Sequence, residues 1–137
     1  MSSELSHHEA LIYIMVTMSA VDRKMTDEEL SSIGDMVSKL PVFRDFDSDS
    51  LVHVAEACGD MLSHDGGLDN VLNRVARGLP PKLRETAYAL AVEIAAADLD
   101  VQQEEMRLLE LLAEALGLDR LITAAIERGA RARLARP

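Results

Sequence analysis

Apolar residues recur three and four positions apart along almost the whole chain, the spacing of helices with one buried face. Leu11, Ile14, Met15, Met18 and Val21 line one face of a first helix. Leu30, Ile33, Val37 and Leu40 line a second, which Pro41 ends. Leu51, Val54, Cys58, Met61 and Leu62 mark a third, stopped at "DGG" (65–67), and Leu68, Val71, Leu72 and Val75 a shorter fourth, closed near Gly78 and Pro80-Pro81. A fifth helix is predicted from Pro81 to about Ala97, since proline suits a first turn. Met106, Leu109, Leu112 and Leu116 stripe a sixth, with Gly117 placed as its C-terminal cap. Leu121, Ile122, Ala125 and Ile126 define a seventh, predicted to run from Leu118 to Leu134 with its apolar stripe on the bundle and its arginines outward. No strand pattern and no linker remains, so the expectation is one all-α domain over 1–137.

The pattern repeats. A shift of 76 residues lays the first two helices on the fifth and sixth. Ile14 falls on Leu90, Val16 on Val92, Met18 on Ile94, Leu30 on Met106, Ile33 on Leu109, Met36 on Leu112 and Leu40 on Leu116. The polar residues between them align as well: Asp22 with Asp98, Glu28 with Glu104 and Glu29 with Glu105. Segments 10–40 and 86–116 are therefore read as two αα-hairpins in a pseudo-two-fold arrangement. Such an arrangement can bring "DRKMTDEE" (22–29) and "DLDVQQEE" (98–105) to one end of the bundle.

Composition narrows the interior and the partners. With 48% hydrophobic residues but only 3% aromatic and no Trp, aliphatic side chains and Met have to fill the core, which suits helix-on-helix packing. A formal charge of −10 repels phosphate backbones, so nucleic acid is excluded as an expected partner. The basic residues are unevenly placed: Arg128, Arg131, Arg133 and Arg136 follow one another with no acid among them. They either complement the end of the last helix or offer contact to a membrane surface or an acidic partner. Cys58 is the one cysteine and lies on the apolar stripe, so it reads as a small buried hydrophobe in a reducing compartment. The run "ALIYIMVTMSAV" is too short to span a bilayer and is preceded by acids, not by a basic segment. A cytoplasmic protein is expected.

The chain resembles the tellurite-resistance protein B (TerB-like) family of compact all-helical bacterial domains. In that pattern an apolar helix ends in Ala-Asp, and a short turn with Glu-Glu opens the next helix, which closes on a Leu-Gly-Leu cap. "AAADLDVQQEEMRLLELLAEALGLD" (95–119) follows it, "SAVDRKMTDEELSSIGDMVSKLP" (19–41) is the earlier copy, and "LPVFRDFDSDSL" and "DGGLDNVLNRVARGLPPKLRETAYALA" are similar to the family's middle section. The residue after the key Asp, often Gly in the family, is Arg23 in one copy and Leu99 in the other. The resemblance implies a role in resistance to tellurite and other stresses, with a metal ion held by Asp22, Glu29, Asp98 and Glu105.

Two readings of the acidic turns follow. Four carboxylates, with Asp100, Glu28 and Glu104 in reserve, supply the oxygen ligands that a hard divalent cation such as calcium or magnesium needs. Alternatively, Thr26-Asp27-Glu28-Glu29 is a capping box in which Glu29 reaches back to the cap, and Asp100 with Gln103 does the same in the second copy. Capping alone accounts for most of the pattern. A second acidic stretch, "DFDSDSLVHVAE" (45–56), spaces Asp45, Asp47, Asp49 and Glu56 as an EF-hand loop does. Ser50 stands where the loop wants Gly, and Pro41 leaves little incoming helix, so Asp47 or Asp49 is expected to cap the third helix instead. His7, His8, His53 and His64 have no zinc-like spacing and are expected at the surface, the first two near a frayed start. No P-loop, G-x-G-x-x-G, HExxH or GxSxG motif occurs. The expected function is a non-enzymatic domain that binds a divalent cation or a protein partner. The alternative is a metal-independent scaffold that docks proteins or a membrane, and catalysis by paired carboxylates ranks third.

Overall fold

The computed structural model describes residues 4–21, 25–96 and 103–137, and among these all regular structure is helical, with no strand. Seven helices follow one another: α1 (His7–Ser19), α2 (Asp27–Lys39), α3 (Leu51–Leu62), α4 (Gly67–Gly78), α5 (Arg84–Ala96), α6 (Gln103–Leu116) and α7 (Arg120–Leu134). Short 3₁₀ turns at Pro41–Phe43, Ser48–Ser50 and Pro81–Leu83 join some of them. The predicted fifth helix thus begins three residues late, because Pro81–Leu83 winds as a 3₁₀ turn before the α-helix starts at Arg84.

The sequence reading gave α1 one buried face, but every residue from Ala10 to Ser19 is buried. An all-apolar helix needs neighbours on every side, and α1 packs against α2, α3, α4 and α5. It is the hub of the molecule. Helix α5 is the second interior element, burying Ala87, Tyr88, Leu90, Ala91, Val92 and Ala95 and carrying α6 and α7 on its other sides. Its alanines keep that surface low, so neighbouring helices can approach closely.

Helix ends are closed by local chemistry. Ser6 and Glu9 form a reciprocal capping box at α1: the Ser6 N–H donates to Glu9 Oε1 at 2.9 Å and the Glu9 N–H to Ser6 Oγ at 3.1 Å. The start expected to fray is therefore capped. At the end of α6, Gly117 takes φ +67. From there the Gly117 N–H reaches the Glu114 carbonyl and the Leu118 N–H the Ala113 carbonyl, the double bond of a Schellman cap. Arg84, at the start of α5, donates from Nη1 to the Leu116 carbonyl at 3.0 Å. That bond ties the two ends of the α5–α6 hairpin and places a cation at the negative end of α6. Gly67 is required by space, since a Cβ there would lie 2.3 Å from the Met61 carbonyl oxygen.

Two stripes differ from expectation. In α6 the buried residues are Leu108, Leu112 and Leu116, while Met106 is 54% exposed and Leu109 half-buried. In α7 Leu121 is 78% exposed and Ala125 is exposed too; Ile126 packs against the core and Ala130 is buried. In each helix several residues satisfy a three-and-four spacing, and the neighbouring helix decides which set is covered. The four tail arginines are exposed as predicted, and Arg133 pairs with Glu93 on α5.

The helices of the two proposed repeat copies match in span at the 76-residue offset to within one residue at each end. The buried residues of α5 all fall on buried residues of α1, but the buried faces of α2 and α6 do not match. Ile33 and Val37 are buried in α2, but their counterparts Leu109 and Ala113 are half-buried in α6; buried Leu108 stands opposite exposed Ser32. The correspondence is one of helix span, and of burial in the first helix of each pair only.

Candidate functional site: the acidic inter-helix turns

Three acids, Asp27, Glu28 and Glu29, fill the first turn of α2, and Glu104 and Glu105 occupy that of α6. Each group sits where the helix end presents unpaired N–H donors and partial positive charge. In the first copy the capping box forms as read from sequence: Glu29 Oε1 accepts from the Thr26 N–H at 2.8 Å and Thr26 Oγ1 accepts from the Glu29 N–H at 3.1 Å. Glu29 is half-buried and holds one carboxylate oxygen on its own helix cap. Glu105 is half-buried at the equivalent position of α6. Asp22, Asp98 and Asp100 lie outside the described residues.

The flanks of the two turns meet at one place. Val21, the last described residue before Asp22, lines the same open surface depression as Gln103 and Glu104, the first residues of α6. Leu68, at the start of α4, and Met106, Arg107, Leu108, Glu110 and Leu111 of α6 also line it. The donor chemistry fits a hard divalent cation, since carboxylate oxygens are the ligand type such ions take. Among the described residues no group of three or more His, Cys, Asp or Glu side chains is disposed to hold an ion. Glu29 and Glu105 are among those residues; Asp22 and Asp98 are not.

The four carboxylates of the EF-hand-like stretch are all among the described residues and form no such group. Asp45 adopts φ +72, a left-handed conformation that Asp tolerates. Asp47 accepts from the Asp49 N–H at 3.1 Å and caps the 3₁₀ turn Ser48–Ser50, which runs into α3. Asp47 therefore caps the 3₁₀ turn and not α3, whose N-cap residue Ser50 makes no side-chain capping bond. Val52, the apolar position of that loop, is 53% exposed.

Elsewhere the buried polar groups are structural. Cys58 is fully buried, with Sγ 3.6 Å from both Thr17 Oγ1 and the Tyr13 carbonyl oxygen; burial pushes its thiol up to about 11. Tyr88 donates from its hydroxyl to Glu127 Oε2 at 2.5 Å, joining α5 to α7; burial and that carboxylate raise its pKa. His8, expected at the open surface, is half-buried: its ring stacks on Phe43, meets Phe46 edge-on, and Nε2 lies 2.9 Å from the Val42 carbonyl oxygen. The two phenylalanines in "PVFRDF" were the available signal for that cluster.

No described helix is long and apolar enough to cross a membrane. No curated protein and no solved structure matches the chain. The family model described as "Tellurite resistance protein TerB" matches residues 8–127, from the start of α1 to the middle of α7. That match spans most of the chain and both acidic turns, and the protein belongs to the TerB family.

Proposed function

We propose that this TerB-family domain acts by binding, not by catalysis, and that its acidic inter-helix turns take up a divalent cation or a protein partner. Asp22, Glu29, Asp98 and Glu105 would hold the ion, with calcium or magnesium favoured by an all-oxygen donor set. The observation that supports this reading is the surface depression shared by Val21, Gln103 and Glu104, because it draws the flanks of two sequence-distant acidic turns to one end of the bundle. Glu104 and Glu110 line the depression beside Arg107, and a cation held by both turns would add their carboxylates to that set. Stress response of the tellurite-resistance type and a cytoplasmic location complete the proposal.

A second reading is favoured by one specific contact. Glu29 already accepts the Thr26 N–H, so the turns can serve as caps alone in a metal-independent scaffold. Calorimetric titration of chelator-stripped protein with calcium, magnesium, manganese and zinc separates the two. Under the cation reading the melting temperature climbs once free ion exceeds its dissociation constant; a hundredfold excess corresponds to about 2.7 kcal/mol. Asp98→Asn combined with Glu105→Gln removes the climb and leaves the fold intact. A melting temperature that stays flat through millimolar concentrations of all four ions would sink the cation reading and leave capping.

A further inference from the structure

A second concavity lies between α5, α6 and α7, beside the second acidic turn, whose flanking residues Ala96 and Met106 both line it, and it has a volume of about 420 Å³. That is within the range of small-molecule sites, roughly 300–1,000 Å³. Val92 and Ala95 of α5, Met106 and Leu109 of α6, and Ala130 and Leu134 of α7 form its walls. Its mouth explains two departures noted above. Met106 is more than half exposed and Leu109 only half-buried because they face this groove, not the bundle interior. A methionine at the lip can repack around differently shaped apolar ligands.

Three ionisable residues line the groove: Glu127, Arg131 and Arg136. The Glu127 carboxylate is engaged by the Tyr88 hydroxyl. Arg131 and Arg136 are exposed and have no ion-pair partner among the described residues, whereas Arg133 is paired with Glu93. On a chain of net charge −10, an apolar cleft thus carries two uncommitted guanidinium groups. Guanidinium matches carboxylate in shape and charge, and the walls match a hydrocarbon chain.

We propose that the α5–α6–α7 groove binds a free single-chain amphiphile with an anionic head, its hydrocarbon tail between Val92, Met106, Leu109 and Leu134 and its carboxylate on Arg131 and Arg136. Met106 lines both concavities, but the groove uses none of the proposed cation ligands Asp22, Glu29, Asp98 and Glu105, so its failure leaves the cation reading untouched.

Calorimetry with octanoate, nonanoate and decanoate, each kept below its micelle concentration, tests it on the full chain. Saturable one-to-one binding is expected, tightening roughly fourfold per added methylene until the groove is full. Arg131→Gln with Arg136→Gln should weaken decanoate by about tenfold or more. Met106→Glu, which places a carboxylate at an exposed lip position, should abolish binding without lowering the melting temperature. Decyltrimethylammonium, with the same tail and the opposite head, should not bind. Absence of saturable decanoate binding overturns the proposal, as does binding that neither variant changes. Association with phosphatidylglycerol vesicles in the absence of monomeric decanoate binding also overturns it, by making the arginines a membrane-facing surface.

Discussion

At the scale of single residues, environment sets chemistry more than residue type does. Cys58 looks like a reactive group in a list of amino acids, yet it behaves as a core methyl with a weak donor. Its thiol, held near 11 by burial, is almost wholly protonated at neutral pH. Labelling of the native protein by a thiol reagent at pH 8 should therefore proceed only as fast as the chain opens, and denaturant should release it at once. The linkage has a definite sign. A raised folded pKa contributes stability that is complete below the unfolded value near 9 and is lost as pH rises towards 11. Cys58→Ala should flatten that alkaline decline, read from denaturant melts at pH 8, 9, 10 and 11. Thr26 offers a simpler test. Replacing it by Ala removes the hydroxyl that accepts the Glu29 N–H and should cost about 0.5–2 kcal/mol whether or not an ion is present.

At the scale of elements, two glycines of similar appearance should answer substitution in opposite directions. Gly67 opens α4 against the end of α3, where an added Cβ would meet the Met61 carbonyl oxygen at 2.3 Å and the Leu62 Cα at 2.9 Å. These are backbone atoms and cannot step aside as a flexible side chain would. Gly67→Ala is expected to destabilise by about 1–3 kcal/mol. Gly59 lies inside α3 with nothing within 4 Å of the added methyl. Gly59→Ala should stabilise by about 0.5–1 kcal/mol, because it restricts only the unfolded chain. Urea melts of both variants check the pair, and a shared sign would mean that the α3–α4 turn is not packed as described.

For the whole molecule, what the sequence made legible follows from how locally each feature is determined. Seven helices were readable because their spacing, prolines and glycines act within a few residues. The Thr26–Glu29 box and the Gly117 cap were readable for the same reason. Which stripe of α6 or α7 is covered was not, since Met106–Leu109 and Leu108–Leu112 satisfy the same period and only α5 and its neighbours choose between them. The burial of α1 on all sides is half legible: ten apolar or small residues in succession point to it, but their three-and-four spacing also fits a single buried face. Of the candidate site, the acids and their capping role came from sequence. The meeting of Val21 with Gln103 and Glu104 depends on packing across more than eighty residues and could only be inferred from the repeat. The groove between α5, α6 and α7 left only a faint trace, apolar residues and arginines alternating in "RGARARLARP".

The burial of α1 on every side also bears on how the chain is made. During synthesis α1 leaves the ribosome well before α5, one of the four helices that cover it. Until about residue 96 has emerged, the strongly apolar "ALIYIMVTMSAV" lacks one of its walls. A nascent chain in that state offers the kind of segment that holding chaperones bind and that neighbouring nascent chains aggregate around. Stalled chains with residues 1–80 outside the tunnel should be protease-sensitive and chaperone-bound on the ribosome, and stalled chains carrying α5 and α6 outside the tunnel as well should become resistant. If resistance arrives already at the shorter length, then α2, α3 and α4 suffice to shelter α1. The helix that organises the finished protein is, by this account, its most vulnerable part while it is being born.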